Sequence, residues 1–105
     1  MNQIEFDFLK GMTSILNEVR EVYRSTGKQL ITKEQYDIRL EDLRLLEKES
    51  GIAFANSPTI KTIDDIANVN YLLCNQESDL PEFIKESEIS IPIVNEEELI
   101  RMLNS

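Results

Sequence analysis

Histidine is absent from the 105 residues, and that absence removes more chemistry than any residue present supplies. Ser-His and Cys-His nucleophilic pairs are excluded, and so is the commonest zinc ligand. The single cysteine, Cys74, lies in the apolar run Tyr71-Leu72-Leu73-Cys74. A thiol there is expected to be a small buried residue rather than a nucleophile. One cysteine forms no internal disulfide, which fits a reducing cytosol. The densest carboxylates, Glu96, Glu97 and Glu98, directly follow Asn95. Acid–base work needs carboxylates in a cleft that raises a pKa, whereas three glutamates after an asparagine suit a helix start, opposing the positive end of its dipole. An enzyme in its own right is therefore the least supported class. Arg20, Arg24, Lys28 and Lys33 are the nearest approach to a basic patch. The formal net charge of −9 repels phosphate backbones, so no direct DNA binding is expected.

The elements that would position these groups begin with two helices. Ile4, Phe8, Met12, Ile15, Val19 and Val22 recur at three- and four-residue intervals, with Leu9, Leu16 and Tyr23 alongside. That spacing predicts an amphipathic helix over 3–25, ended by Ser25-Thr26-Gly27-Lys28. Thr32 followed by Gln35 is a capping-box signature for a second helix. On it Asp37, Glu41, Arg44 and Lys48 form a solvated face, and Tyr36, Leu40, Leu43 and Leu46 an apolar one, widened by Ile38 and Leu45. Gly51 suits its left-handed stop. The short link makes the pair an antiparallel αα-hairpin over residues 1–60.

After Asn56-Ser57-Pro58-Thr59 the texture changes. Thr62 with Asp65 predicts a short helix start, and residues 70–74 a buried strand. Ser78 or Asp79 can cap a helix whose first turn holds Pro81 and which ends near Ser87. Residues 89–94 read as a second strand, with Pro92 pointing to an edge position. Asn95 opens a last helix. Residues 61–105 thus form a β-α-β-α tail with a two-stranded parallel sheet and a right-handed crossover. The fold class is α+β. Such a tail buries too little apolar surface to stand alone and must pack on the hairpin or on another chain. No apolar run reaches membrane-spanning length and no signal-peptide layout is present, so a cytoplasmic protein without a membrane contact is expected. A composition of 41% hydrophobic residues is ordinary for a folded domain and argues against general disorder.

Ile31-Thr32-Lys33-Glu34-Gln35-Tyr36-Asp37, then Leu43, Leu46-Glu47 and Asn56-Ser57-Pro58-Thr59, resemble the N-terminal helical subdomain of bacterial NAD-dependent DNA ligases over about residues 18–59. In that family the helical pair closes over the nicotinamide mononucleotide half of NAD. The resemblance implies that Tyr23, Tyr36 and Asp37 contact that group, so NAD or nicotinamide mononucleotide is the implied ligand although no cofactor is required. Arg24 stands where the family usually has His or Tyr, and Lys33 stands where it has Asp. A cation in place of a carboxylate reverses the local electrostatics toward a cationic nicotinamide ring. No lysine is followed by the family's Lys-x-Asp-Gly nucleophile pattern, and the paired-cysteine zinc ribbon is missing. The chain alone is therefore not expected to complete a ligase reaction. Residues 70–74, 78–86, 91–94 and 95–103 are similar to the last half of a BRCT domain, a module found at the end of such ligases.

Two readings follow. One is a non-catalytic ligase-like protein that retains weak recognition of a nicotinamide nucleotide or of a ligase domain. The other is an acidic protein–protein interaction module on a ligase-derived scaffold, with a protein partner or self-association through the tail. An open pocket around Tyr23, Lys33, Tyr36 and Asp37 favours the first, and a Lys33–Asp37 ion pair favours the second.

Overall fold

In a computed structural model describing residues 2–67, 69–86 and 91–104, two long helices lead into a small parallel sheet. Helix α1 spans Gln3–Thr26 and α2 spans Lys33–Ser50. Strand β1 covers Ile52–Phe54, β2 Tyr71–Leu73 and β3 Ile93–Val94. A one-turn helix α3, Glu82–Lys85, lies between the last two strands, and α4, Glu96–Leu103, follows them. The architecture is the expected α+β, an αα-hairpin packed with a smaller α/β tail.

Local signals explain the boundaries. Asn2 caps α1 by accepting the Glu5 N–H, and Gly27 ends it at φ 74°. The Thr32 hydroxyl accepts the Gln35 N–H while the Gln35 side chain accepts the Thr32 N–H, both at 3.0 Å. This reciprocal pair satisfies two otherwise orphaned donors. Asn95 caps α4 by accepting the Glu98 N–H. The carboxylate of Asp65 accepts the Lys61 and Thr62 N–H groups and starts a tight helical turn over Ile63–Ile66. Those two bonds hold its carboxyl below the usual aspartate range.

The sheet has strand order β1-β2-β3, all parallel. The expected parallel pair is present, and a third strand not anticipated from sequence joins it directly after α2. β1 has only three residues, too few for alternation to show. The Leu72 N–H donates to the Pro92 carbonyl and the Cys74 N–H to Val94, so β3 lies at an edge, as Pro92 indicates. Of the strand expected over residues 89–94, Ile89 and Ser90 lie outside the described residues, as does Ser87, the expected end of the preceding helix.

Side chains alternate across the sheet and give it two buried faces. Ile52, Leu73 and Val94 pack with Phe6, Leu9, Leu16 and Leu43 of the hairpin and Leu99 of α4. Ala53 and Leu72 point the other way, toward Ile60, Ile66, Val69 and Ile84. The tail is thus seated on the hairpin. An ion pair between Lys10 and Glu96 at 2.8 Å adds a surface tie, and the Asn75 amide oxygen accepts the Glu96 N–H.

Four expectations need correction. The apolar stripe of α1 that enters the core is Phe6, Leu9, Thr13 and Leu16, whereas Ile4, Phe8 and Ile15 are 79%, 61% and 60% exposed. At 100° per residue the two stripes are offset by roughly 130°, and the sheet selects the one that also holds Thr13, whose hydroxyl bonds back to the Leu9 carbonyl. On α2, Ile38 and Leu45 face solvent rather than widening the buried face. Ser78 and Asp79 belong to a separate short turn, and Pro81 itself is the residue before α3 rather than within its first turn. Cys74 is half-buried, its thiol donating to the Gln76 carbonyl at 2.9 Å.

Candidate functional site

The end of the hairpin where α1 stops and α2 starts lies away from the sheet, whose core contacts on α1 come from Phe6, Leu9 and Leu16. That end carries an open cavity of about 410 Å³ whose lining includes Tyr23 of α1, Lys33 and Tyr36 of α2, and Pro58 from the Asn56–Thr59 turn. That volume is within the range of small-molecule sites. Val19, Ile31 and Leu40 supply apolar wall, while Arg20 and Lys61 add two more cations. Tyr23 is about half exposed and Tyr36 is partly buried against the core.

Each element holds its contribution for a local reason. The capping box at Thr32 fixes the first turn of α2, which carries Lys33 and Tyr36. Asn17 donates to the Asn56 carbonyl at 3.0 Å and accepts from Arg20 at 3.2 Å. One amide therefore links α1 to the turn and steadies the guanidinium beside the cavity. Pro58 is buried, because the turn it belongs to is anchored from beneath.

That anchor is Glu47, only 5% exposed. The Thr59 hydroxyl donates to Glu47 Oε1, and the Ser57 and Thr59 hydroxyl oxygens are 3.0 Å apart. Oε2 is buried with no hydrogen-bond partner among the described residues. Burial pushes the Glu47 carboxyl above the usual glutamate range, although hydroxyls of Ser57 and Thr59 and the charge of Arg44 pull the other way. Desolvation prevails. A buried acid of raised pKa is a familiar feature of catalytic sites, but this one does not line the cavity and closes a turn onto a helix instead. The Leu46-Glu47 and Ser57-Pro58-Thr59 segments are thereby joined as a structural clasp.

Of the residues singled out in the sequence, Tyr23 and Tyr36 are brought together with Lys33 around one opening. Asp37 is exposed and is not among the lining residues. No Lys33–Asp37 ion pair is present among the described residues. Arg24 is paired at 3.7 Å with Glu21 on the outer surface. Lys61 carries no local sequence signal, since it reaches the cavity only through the fold of the turn before it. Glu96 begins α4 and pairs with Lys10 as a helix-start carboxylate. No group of His, Cys, Asp or Glu able to hold a metal occurs among the described residues, and no described helix is long and apolar enough to cross a membrane.

No protein-family model matches this sequence, and no solved structure matches it. Two DNA ligases do. That of Lachnoclostridium phytofermentans is 36% identical over 50 residues, and that of Finegoldia magna 40% identical over 53 residues. These stretches cover 48% and 50% of this chain but 8% of either ligase. About half of this chain is therefore related in sequence to a short segment of DNA ligase.

Proposed function

We propose that this chain is a non-catalytic relative of NAD-dependent DNA ligase whose helical hairpin retains weak recognition of a nicotinamide nucleotide. The observation that carries this reading is the cavity where α1 ends and α2 begins, with Tyr23 and Tyr36 on opposite helices. Two phenol rings on facing elements offer stacking surface to a planar heterocycle, and the neighbouring cations suit its phosphate. Asp37, the third contact the resemblance implies, is solvent-exposed and stands outside the lining, so this reading rests on the two tyrosines. The small fraction of a ligase that is matched supports a binding fragment rather than a complete catalyst. In this reading the tail derives from a BRCT-like module, and the protein works in the cytoplasm beside a separately supplied nucleotidyl-transfer domain.

Calorimetric titration of the full chain with NAD and with nicotinamide mononucleotide tests the reading. Saturable heat that Tyr36→Ala abolishes is expected, and absence of heat at millimolar ligand overturns it.

A second reading, an acidic interaction module, is favoured by the exposed stripe Ile4, Phe8 and Ile15. Apolar residues grouped on one helix face mark interaction surfaces more often than chance. Its partner is a protein or a second copy of the chain. A monomeric mass by sedimentation at high concentration, together with no captured ligase domain, counts against it.

A further inference from the structure

We infer that the cavity between α1 and α2 selects its ligand by charge, taking a mononucleotide whose ring bears a carboxylate over one whose ring is only cationic. This rests on the cavity being a nucleotide site, as proposed above.

The observation is an imbalance. The chain carries 20 acidic and 11 basic side chains, yet the cavity is lined by Arg20, Lys33 and Lys61 and by no aspartate or glutamate. None of these three makes an ion pair among the described residues. Arg20 is instead held by the neutral amide of Asn17. Lys33 is the first residue of α2, where the helix dipole adds further positive potential. Within the lining no acid offsets this potential, the Asp65 carboxylate on the Lys61 N–H standing outside it, so the cavity favours anionic groups on a ligand.

A pyridine mononucleotide supplies one such group in its phosphate, but its quaternised ring is repelled by whichever cation it meets. Replacing the ring's carboxamide by a carboxylate keeps shape and size and adds one negative charge. A unit charge near partly solvated cations is worth on the order of tenfold in affinity. Tyr23 and Tyr36 contribute stacking that is nearly the same for both rings, so the discrimination is electrostatic.

The test is isothermal titration of the full chain, at low ionic strength, with nicotinic acid mononucleotide, nicotinamide mononucleotide and nicotinamide riboside. The expected order of affinity is as written, with roughly tenfold between the first two. Lys33→Asp, which places an acid where a helix start favours one, should bring that ratio to unity or invert it. Its unchanged thermal midpoint would show that the fold is intact. Lys61→Glu should act in the same direction. Equal or tighter binding of nicotinamide mononucleotide by the unaltered chain overturns charge selection while leaving the nucleotide site standing. No heat from any of the three at millimolar concentration overturns both. A ratio that persists in both Lys33→Asp and Lys61→Glu also overturns the inference.

Discussion

The two ends of the hairpin are built to opposite specifications. Where α1 begins and α2 ends, Phe6, Leu9 and Leu43 are completely buried and β1 starts one residue beyond Gly51. Where α1 ends and α2 begins, the side chains of Tyr23, Lys33 and Tyr36 surround open space. The same two helices therefore supply a filled end that carries stability and an unfilled end where the proposed ligand would sit. The lesson is that the sheet decides which end is which, since it covers one and leaves the other.

The largest effect should come from truncating the filled end. Leu43→Ala removes a fully buried side chain and is expected to cost about 2–5 kcal/mol, read from chemical denaturation. If ligand affinity, measured on the fraction that remains folded, also collapsed, the division of labour would be broken. Gly51→Ala comes next. Its φ of 73° disfavours any Cβ, and a Cβ there meets the Asn70 side-chain amide, so a loss of about 1–2 kcal/mol is expected, seen as a lower thermal midpoint.

Glu47 gives a pH-dependent prediction. Its folded-state pKa is raised above the unfolded value, so the group's contribution to stability is fully present below the unfolded pKa. That contribution is lost as pH rises through the folded pKa. Glu47→Gln removes this dependence while keeping an acceptor for Thr59. Relative to the unaltered chain, the variant should gain stability as pH is raised from 4.5 to 8; a difference that shrinks over that interval refutes the assignment. The smallest stability effect belongs to the open end. Tyr23→Ala, at an exposed position, should change stability by about 0.5 kcal/mol or less while weakening nucleotide binding in the same calorimetric assay.

The hairpin was readable because its signals are local. The Thr32–Gln35 box, the left-handed glycines 27 and 51, and the helical periodicity each act within a few residues. The tail's parallel pairing was likewise readable, because a strand–helix–strand order permits little else. What could not be read depends on distant partners. Two apolar stripes run along α1, and only the position of the sheet makes Phe6 and Leu9 core and leaves Phe8 and Ile15 outside. β1 is legible only beside β2, which supplies its hydrogen bonds. At the cavity, the pairing of Tyr23 with Tyr36 follows from the hairpin itself. Arg20 lies one turn before Tyr23 on the same helix and belongs to the basic group visible in the sequence, whereas Lys61 is added by tertiary geometry, and the buried contact of Glu47 with Thr59 spans a chain reversal that no short pattern encodes.

Strand β1 also fixes how far the molecule can be divided. Its residues emerge from the end of α2 yet form their ladder with a strand about twenty positions later, so severing the chain near residue 60 would leave Ile52–Phe54 with bare amides and an uncovered apolar flank. Neither portion is a free-standing cassette. Melting, proteolytic release and hydrogen exchange should each find one cooperative body, and any transplantation of the helical pair into another protein must carry the sheet along with it.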